Sequence, residues 1–158
     1  MISARTLSPE GTQAIGAAVA ELLAPGDVVL LVGGLGAGKT TFVQGMARGL
    51  GYSGAVTSPT FTLCHSYAGR LALVHADLWR LDTVGEILDL ALDEELEGGA
   101  VVVAEWGEAA EGVLGRDALI VHIEAGAMPD ERDVRLEPRG PWSARVAALA
   151  AAVARVAA

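Results

Sequence analysis

The hydrophobic residues of the chain fall into short apolar runs that alternate with segments of helical periodicity. Residues 28–32 and 100–104 are continuous apolar runs, which is typical of strands covered on both faces of a sheet. Further strands are predicted at residues 118–123, 133–137, 61–67 and 71–76, the last two joined as a hairpin. Because the hairpin and the late strands break the simple alternation, we expect a mixed rather than a purely parallel sheet.

Four helices are predicted between and after these strands. Ser8, Pro9 and Glu10 form a helix start, since serine caps, proline fits the first turn and an acid suits the positive end of the dipole. This helix would end at Pro25-Gly26. The other predicted helices cover residues 40–50, 84–92 and 143–158. We therefore expect an α/β fold, a single domain over residues 1–158 with helices packed on a mixed central sheet.

Composition narrows the class of protein and its partners. The chain has 158 residues, 52% of them apolar, but no apolar stretch approaches the ~20 residues that span a bilayer. The N-terminus lacks the apolar core of a signal peptide, so we expect a cytoplasmic protein without a membrane partner. A single cysteine, Cys64, gives no internal disulfide. The net charge of −9 argues against unaided binding of nucleic acid, because neutralising phosphates needs a basic surface.

One glycine-rich segment carries the only lysine of the chain. Residues 33–40, GGLGAGKT, fit the pattern G-x-x-x-x-G-K-[ST], with an apolar strand before them and a predicted helix after them. In such a phosphate-binding loop (P-loop), backbone N–H groups face the phosphates and the helix dipole favours negative charge. Lys39 would reach the β- and γ-phosphates as a compact charge, and the Thr40 hydroxyl would bind Mg²⁺. We therefore expect a P-loop NTPase-like domain.

Two acidic residues come directly after predicted buried strands. Asp77 ends LALVHAD, and Glu105 ends AVVVAE. Because ligands of open α/β sheets bind at the carboxyl ends of the strands, we expect both carboxylates beside the loop, near the metal and the attacking water. Either one alone also fits a helix cap or a solvated strand end.

Three further positions stay open at this stage. TSPTFT, residues 57–62, fits either a segment that responds to the γ-phosphate or an ordinary Ser-Pro turn, and composition alone favours the turn. His75 alternates with Asp77, so the two could share a face, but a strand histidine is more often structural. Trp106 fits the nucleotide pocket and the core equally well.

Four motifs together resemble those of the TsaE family, bacterial P-loop ATPases required for N6-threonylcarbamoyladenosine formation in tRNA. In family order and at comparable spacing, they are GGLGAGKTTF (33–42), SPTFTL (58–63), HADLWRL (75–81) and AEWGE (104–108). The chain departs from the family pattern at Gly34 (usually aspartate), Trp79 (usually tyrosine) and Gly107 (often proline). None of these departures removes a phosphate, metal or water ligand.

The resemblance implies an ATPase site that uses ATP and Mg²⁺. Lys39 and the loop amides would hold the phosphates, while Asp77 would act on the attacking water or the metal. The segment Ser58-Pro59-Thr60 would respond to the γ-phosphate. The implied metal ligands are Thr40, Glu105 and Asp77, and the implied catalytic residues are Asp77 and Lys39. The implied nucleotide-binding residues are Gly33, Gly36, Ala37, Gly38, Lys39, Thr40, Thr41, Ser58, Thr60, Trp106 and Arg132.

The resemblance also implies protein partners. Members of the family work with TsaB and TsaD, and ATP hydrolysis is thought to drive the TsaD–TsaB assembly through its cycle. Hydrolysis would be slow for the protein alone and faster with the partners. The tRNA would be bound mainly by the partners, which suits the acidic charge of this chain.

Other classes of protein use the same loop. A GTPase recognises guanine with the motif [NT]KxD. This chain lacks that motif, because its one lysine belongs to the P-loop and it has no asparagine. A small-molecule kinase is the stronger alternative, although no lid-like segment with arginines stands out. A nucleotide-gated binding module with negligible turnover would carry the same loop and stays open.

Overall fold

A seven-stranded sheet forms the centre of the molecule in the computed structural model, which describes residues 1–59 and 63–157. The strands, in chain order, are β1 Ile2–Thr6, β2 Val28–Val32, β3 Cys64–Tyr67, β4 Leu73–Asp77, β5 Val101–Glu105, β6 Leu119–Ala125 and β7 Arg132–Pro138. Their order across the sheet is β1-β7-β6-β2-β5-β4-β3.

Helices connect the strands and end the chain. They are α1 Pro9–Ala20, α2 Lys39–Gly49, α3 Val84–Leu88, α4 Leu92–Glu97, α5 Glu111–Leu114 and α6 Val146–Val156, with 3-10 turns at Gly107–Ala110, Gly115–Asp117 and Gly140–Arg145. Ser8 caps α1 through a hydrogen bond from the Gly11 amide, as its sequence predicts. Within the part of the chain that the structure describes, no helix is long and apolar enough to cross a membrane.

The sheet is mixed, which confirms the prediction. Its centre is parallel, because β2 runs parallel to β5 and β6, and β4 runs parallel to β5. Its flanks are antiparallel, with β3 on β4 at one edge and β6, β7 and β1 at the other. The three parallel neighbours β2, β5 and β4 therefore end at one edge of the sheet.

Helices cover both faces of the central strands. Val29 and Leu31 of β2 pack into a core with residues of α1, α2 and α6. The alternate residues Val28 and Leu30 pack into a second core with residues of α3 and α4. This alternation explains why β2 is apolar throughout, since each of its faces is buried.

The C-terminal helix packs on the chain's own core. Leu149, Ala152 and Val153 of α6 are buried, and the helix lies against α1. Its first turn is fixed by Arg145, whose guanidinium donates to both carboxylate oxygens of Asp27 at 2.5 and 3.1 Å. Asp27 is 7% exposed and also accepts from the Ala24 amide. This buried pair fastens α6 to the turn that precedes β2.

We expect Arg145→Met to lower the free energy of unfolding by about 3 kcal/mol, because the change leaves the buried Asp27 carboxylate without its charged partner. Urea unfolding measures the loss. The matched control is Arg155→Met, which removes an exposed pair with Glu21 from the same helix and should cost less than about 1 kcal/mol. Equal losses for the two variants would contradict the assignment.

The structure departs from the predicted elements in several places. No strand was predicted at residues 2–6, where β1 pairs with β7. The single helix predicted at residues 84–92 is wrong, because α3 ends at Leu88, and Ala91 adopts a left-handed conformation with φ of 53°. That break lets Ile87 and Leu92 enter the same core. The first part of the hairpin predicted at residues 61–67 lies outside the described residues, and β3 begins at Cys64.

Candidate functional site

A tight glycine-rich loop joins β2 to α2 at the edge where the parallel strands end. Gly36 and Gly38 have φ values of 74° and 107°, a conformation that L side chains rarely adopt. Gly33 is needed for a different reason, since a Cβ there would lie 2.4 Å from the carbonyl oxygen of Ile123. The glycines therefore let the backbone turn sharply against β6 before the N-terminus of α2.

Two cationic side chains hold the carbonyl groups of this loop. The Lys39 ammonium donates to the carbonyl oxygens of Gly33 and Gly34 at 2.7 and 2.8 Å. The Arg132 guanidinium of β7 donates to those of Ala37 and Gly36 at 2.8 and 3.3 Å. We call these four hydrogen bonds the carbonyl clamp. Because the clamp engages carbonyl oxygens, it fixes the orientation of the peptide groups in the loop.

Lys39 lies in a buried and acidic environment. The residue is 5% exposed, and its ammonium lies 3.8 Å from the centroid of the Trp106 ring. Burial lowers the pKa of Lys39, while Glu105, Glu108 and Asp77 act in the opposite direction. Trp106 reaches this place because it adopts φ of 58° directly after β5 and turns the chain there.

Asp77 and Glu105 are neighbours at the ends of β4 and β5. They are paired in the register of the two parallel strands, so their Cα atoms are roughly 5 Å apart. Asp77 is 6% exposed and accepts hydrogen bonds from the Ser58 hydroxyl at 2.8 Å and the Trp79 amide at 3.0 Å. These two donors fix its carboxylate and leave further lone pairs available.

The Glu105 carboxylate links α2 to the interior of the sheet. It is 4% exposed and accepts from the Thr40 hydroxyl with both oxygens, at 3.0 and 2.8 Å. Its Oε2 also lies 2.6 Å from Nε2 of His75. A hydroxyl and carboxylates are hard oxygen ligands, and Mg²⁺ is usually held by one or two carboxylates together with phosphates. Thr40, Glu105 and the adjacent Asp77 could therefore hold Mg²⁺.

These side chains face one cavity of about 450 Å³, which is within the usual range for a small-molecule site. The rings of Trp79 and Trp106 form one aromatic wall, and their centroids lie 4.4 Å apart. Both Asp77 and Glu105 line the cavity together with Lys39. The other lining residues are Leu35, Gly36, Ala37, Gly38, Thr40, Thr41, Ser58, Leu63 and Arg80.

The structure thus brings most of the predicted site residues together. Thr60 lies outside the described residues, so its predicted contact is untested. Arg132 lines a smaller cleft, together with Thr41 and Gly38, and its guanidinium is engaged with loop carbonyls. The sequence shows that His75 alternates with Asp77, but it does not show that His75 contacts Glu105. In the sequence Trp79 stands out only as a departure from the family pattern, whereas in the structure it forms part of the cavity wall.

The fold and the site together define a class of protein: a mixed α/β sheet whose glycine-rich loop lies beside two carboxylates at strand ends. A family model described as threonylcarbamoyl adenosine biosynthesis protein TsaE matches residues 6–134. The chain belongs to the TsaE family, and the resemblance of its four motifs is confirmed.

Individual relatives agree with this assignment. The tRNA threonylcarbamoyladenosine biosynthesis protein TsaE of Bacillus subtilis is 44% identical over 131 residues, which is 82% of this chain and 81% of that protein. The protein of the same name from Treponema pallidum is 48% identical over 101 residues, 64% of this chain and 75% of that protein. The crystal structure of Bacillus subtilis YdiB superposes with a TM-score of 0.76 at 35% identity, covering 98% of this chain and 94% of YdiB.

Proposed function

We propose that this protein binds ATP with Mg²⁺ and hydrolyses it to drive a TsaD–TsaB assembly through its cycle in the threonylcarbamoyladenosine modification of tRNA. The observation that carries the proposal is the convergence of Lys39, Thr40, Asp77 and Glu105 on one cavity. The names of the relatives, which assign those proteins to tRNA threonylcarbamoyladenosine biosynthesis, support the pathway.

The loop would bind the phosphates as a P-loop. The carbonyl clamp directs carbonyl oxygens of the loop toward Lys39 and Arg132, and the amides at the start of α2 carry the positive end of the helix dipole. On binding the nucleotide, the Lys39 ammonium would exchange a carbonyl oxygen of the loop for a phosphate oxygen. Negative charge brought to the loop would offset the burial that lowers the pKa of Lys39.

Glu105 and Asp77 would have different roles in hydrolysis, one at the metal and one at the attacking water. When bound at Thr40 and Glu105, Mg²⁺ supplies positive charge that stabilises the phosphoryl group in transfer. Asp77 would accept a hydrogen bond from the attacking water and orient it toward the γ-phosphorus. Ser58 and the Trp79 amide hold the Asp77 carboxylate for that task. As the new P–O bond forms, the water would give up one proton to Asp77 and the bond between the γ-phosphorus and the bridging oxygen would break, giving ADP and phosphate.

The segment Ser58-Pro59-Thr60, of which Thr60 lies outside the described residues, would respond to the γ-phosphate, as the family resemblance implies. Ser58 lines the cavity and is hydrogen-bonded to Asp77. A change in the position of the water or phosphate would therefore reach this segment directly. Such a segment offers a surface that differs between the ATP and ADP states.

The tRNA would be held by the partner proteins. The chain carries a net charge of −9, so its average field repels a polyanion. Many of its arginines are also engaged with acids of the same chain, among them Arg5, Arg135, Arg139, Arg145 and Arg155.

Purified TsaB and TsaD provide the test. We expect the protein to associate with them on a size-exclusion column in ATP and less in ADP, and its hydrolysis of ATP to rise at least about tenfold when they are added. Failure to associate in any nucleotide state, together with phosphate transfer to a small-molecule acceptor, would instead support a kinase. Mixtures without nucleotide, and with TsaB or TsaD alone, are the controls.

A further inference from the structure

A buried chain of hydrogen bonds extends from Glu105 to residues that do not line the cavity. His75 of β4 is 0% exposed, and its Nε2 contacts Glu105 Oε2 at 2.6 Å. Its Nδ1 lies 3.0 Å from the hydroxyl of Tyr67 on β3, and that hydroxyl lies 3.3 Å from the carbonyl oxygen of Thr57. The chemistry proposed above uses neither His75 nor Tyr67.

The hydrogens in this chain can be placed from the chemistry of its groups. A carboxylate only accepts, so the hydrogen between His75 and Glu105 belongs to Nε2 of the imidazole. In a neutral ring Nδ1 is then an acceptor, so the single hydrogen of the Tyr67 hydroxyl is shared between Nδ1 and the carbonyl oxygen of Thr57. Burial raises the pKa of Tyr67, so the phenol keeps its hydrogen. Donation therefore runs from Tyr67 to His75 and from His75 to Glu105.

His75 is also held firmly in its place. Tyr67 is 5% exposed, and its ring packs at a tilt of 41° against the ring of Tyr52, with centroids 4.9 Å apart. On the other side, His75 is paired with Val103 in the register of β4 and β5. A rigid imidazole between packed strands can fix the direction of a flexible carboxylate.

We propose that His75 is a positioning residue, whose Nε2–H holds Glu105 against Thr40 so that the carboxylate is ready to bind Mg²⁺. This inference rests on the proposed function, because it takes Glu105 as a metal ligand. Without the histidine, Thr40 would be the one remaining side-chain donor to Glu105 among the hydrogen bonds of the described residues. Groups that orient a metal ligand commonly contribute 10–100-fold to metal affinity.

The same chain ties both carboxylates to one segment. Thr57 is the far end of the Tyr67 contact, and its neighbour Ser58 donates to Asp77. A shift of residues 57 and 58 therefore acts on Asp77 directly and on Glu105 through Tyr67 and His75.

A matched pair of variants at His75 tests the inference. The amide nitrogen of glutamine corresponds in reach to Nε2, whereas that of asparagine corresponds to Nδ1. His75→Gln can therefore still donate to Glu105, and His75→Asn reaches only Tyr67. The measurement is the affinity for ADP by calorimetry in excess Mg²⁺ and in EDTA, whose ratio gives the Mg²⁺ enhancement. The control is His122→Asn, which removes a half-buried histidine near Glu137.

We expect His75→Asn to lower the Mg²⁺ enhancement at least about tenfold, and His75→Gln to stay within about threefold of the wild type. Affinity in EDTA and the urea midpoint should be alike in the two variants, because both bury an amide at the same position. Equal enhancement in the two variants, whether kept or lost, would overturn the inference. Tyr67→Phe keeps the ring packing and should lower the enhancement two- to fourfold, so an unchanged value there also counts against it.

The wild-type protein separates this inference from the function on which it rests. If it binds no nucleotide in either buffer, the proposed function fails. If it binds ADP equally well with and without Mg²⁺, nucleotide binding stands and the role of His75 is overturned.

Discussion

Lys39→Ala should lower the affinity for ATP by roughly 100-fold or more. The change removes the ammonium that would contact the β- and γ-phosphates, and each charge-assisted hydrogen bond contributes about 1.5–3 kcal/mol, where about 1.4 kcal/mol is a factor of ten. It also removes half of the carbonyl clamp, since Gly33 and Gly34 lose their donor. Titration with a slowly hydrolysed ATP analogue measures the effect.

Arg48→Ala is the matched control for this change. It removes one positive charge from the same helix, α2, but Arg48 is exposed and donates a hydrogen bond to the Gln13 side chain at 3.2 Å. Its affinity should stay within about threefold of the wild type, because an exposed charge outside the cavity is screened by salt. Wild-type affinity in Lys39→Ala would remove the loop from the proposed function.

Asp77→Asn should bind ATP nearly as well as the wild type and lose about 100-fold or more of its hydrolysis rate. The substitution keeps the shape of the side chain and its capacity to accept from the Trp79 amide, but it removes the charge that would orient and activate the water. Single-turnover hydrolysis, measured with TsaB and TsaD present, isolates the chemical step from binding.

Asp89→Asn serves as the control, because it removes an equal charge from an exposed position at the end of α3. Its rate should match that of the wild type. Undiminished turnover in Asp77→Asn would exclude Asp77 from the chemistry, and loss of ATP binding would show instead that Asp77 acts on the metal or the loop.

The centre of the fold could be predicted from the sequence because its strands are buried on both faces. Strand β2 is a continuous apolar run and β5 is apolar up to Glu105, so the length and place of each are visible without any knowledge of its neighbours. Strand β1 could not be predicted in the same way. It contributes only Ile2 and Ala4 to the core, and it is stabilised by pairing with β7, more than a hundred residues further along the chain.

In the candidate site, too, local patterns predict some residues, while contacts between distant residues cannot be predicted. The places of Lys39, Asp77 and Glu105 follow from motifs and strand ends, which are local features. The contact between His75 and Glu105 depends on how β4 and β5 are aligned, and no local pattern specifies that alignment. The part of Arg132 in holding loop carbonyls depends on a contact between residues 95 positions apart.

The carbonyl clamp has a consequence for the kinetics of ligand capture. A flexible glycine-rich segment normally loses conformational entropy when it wraps an anion, and that loss weakens binding. Here Lys39 and Arg132 restrain the segment from within the protein, so most of that ordering is complete once the chain has folded. Under the proposed function, a polyphosphate would then be captured without a slow rearrangement of the main chain.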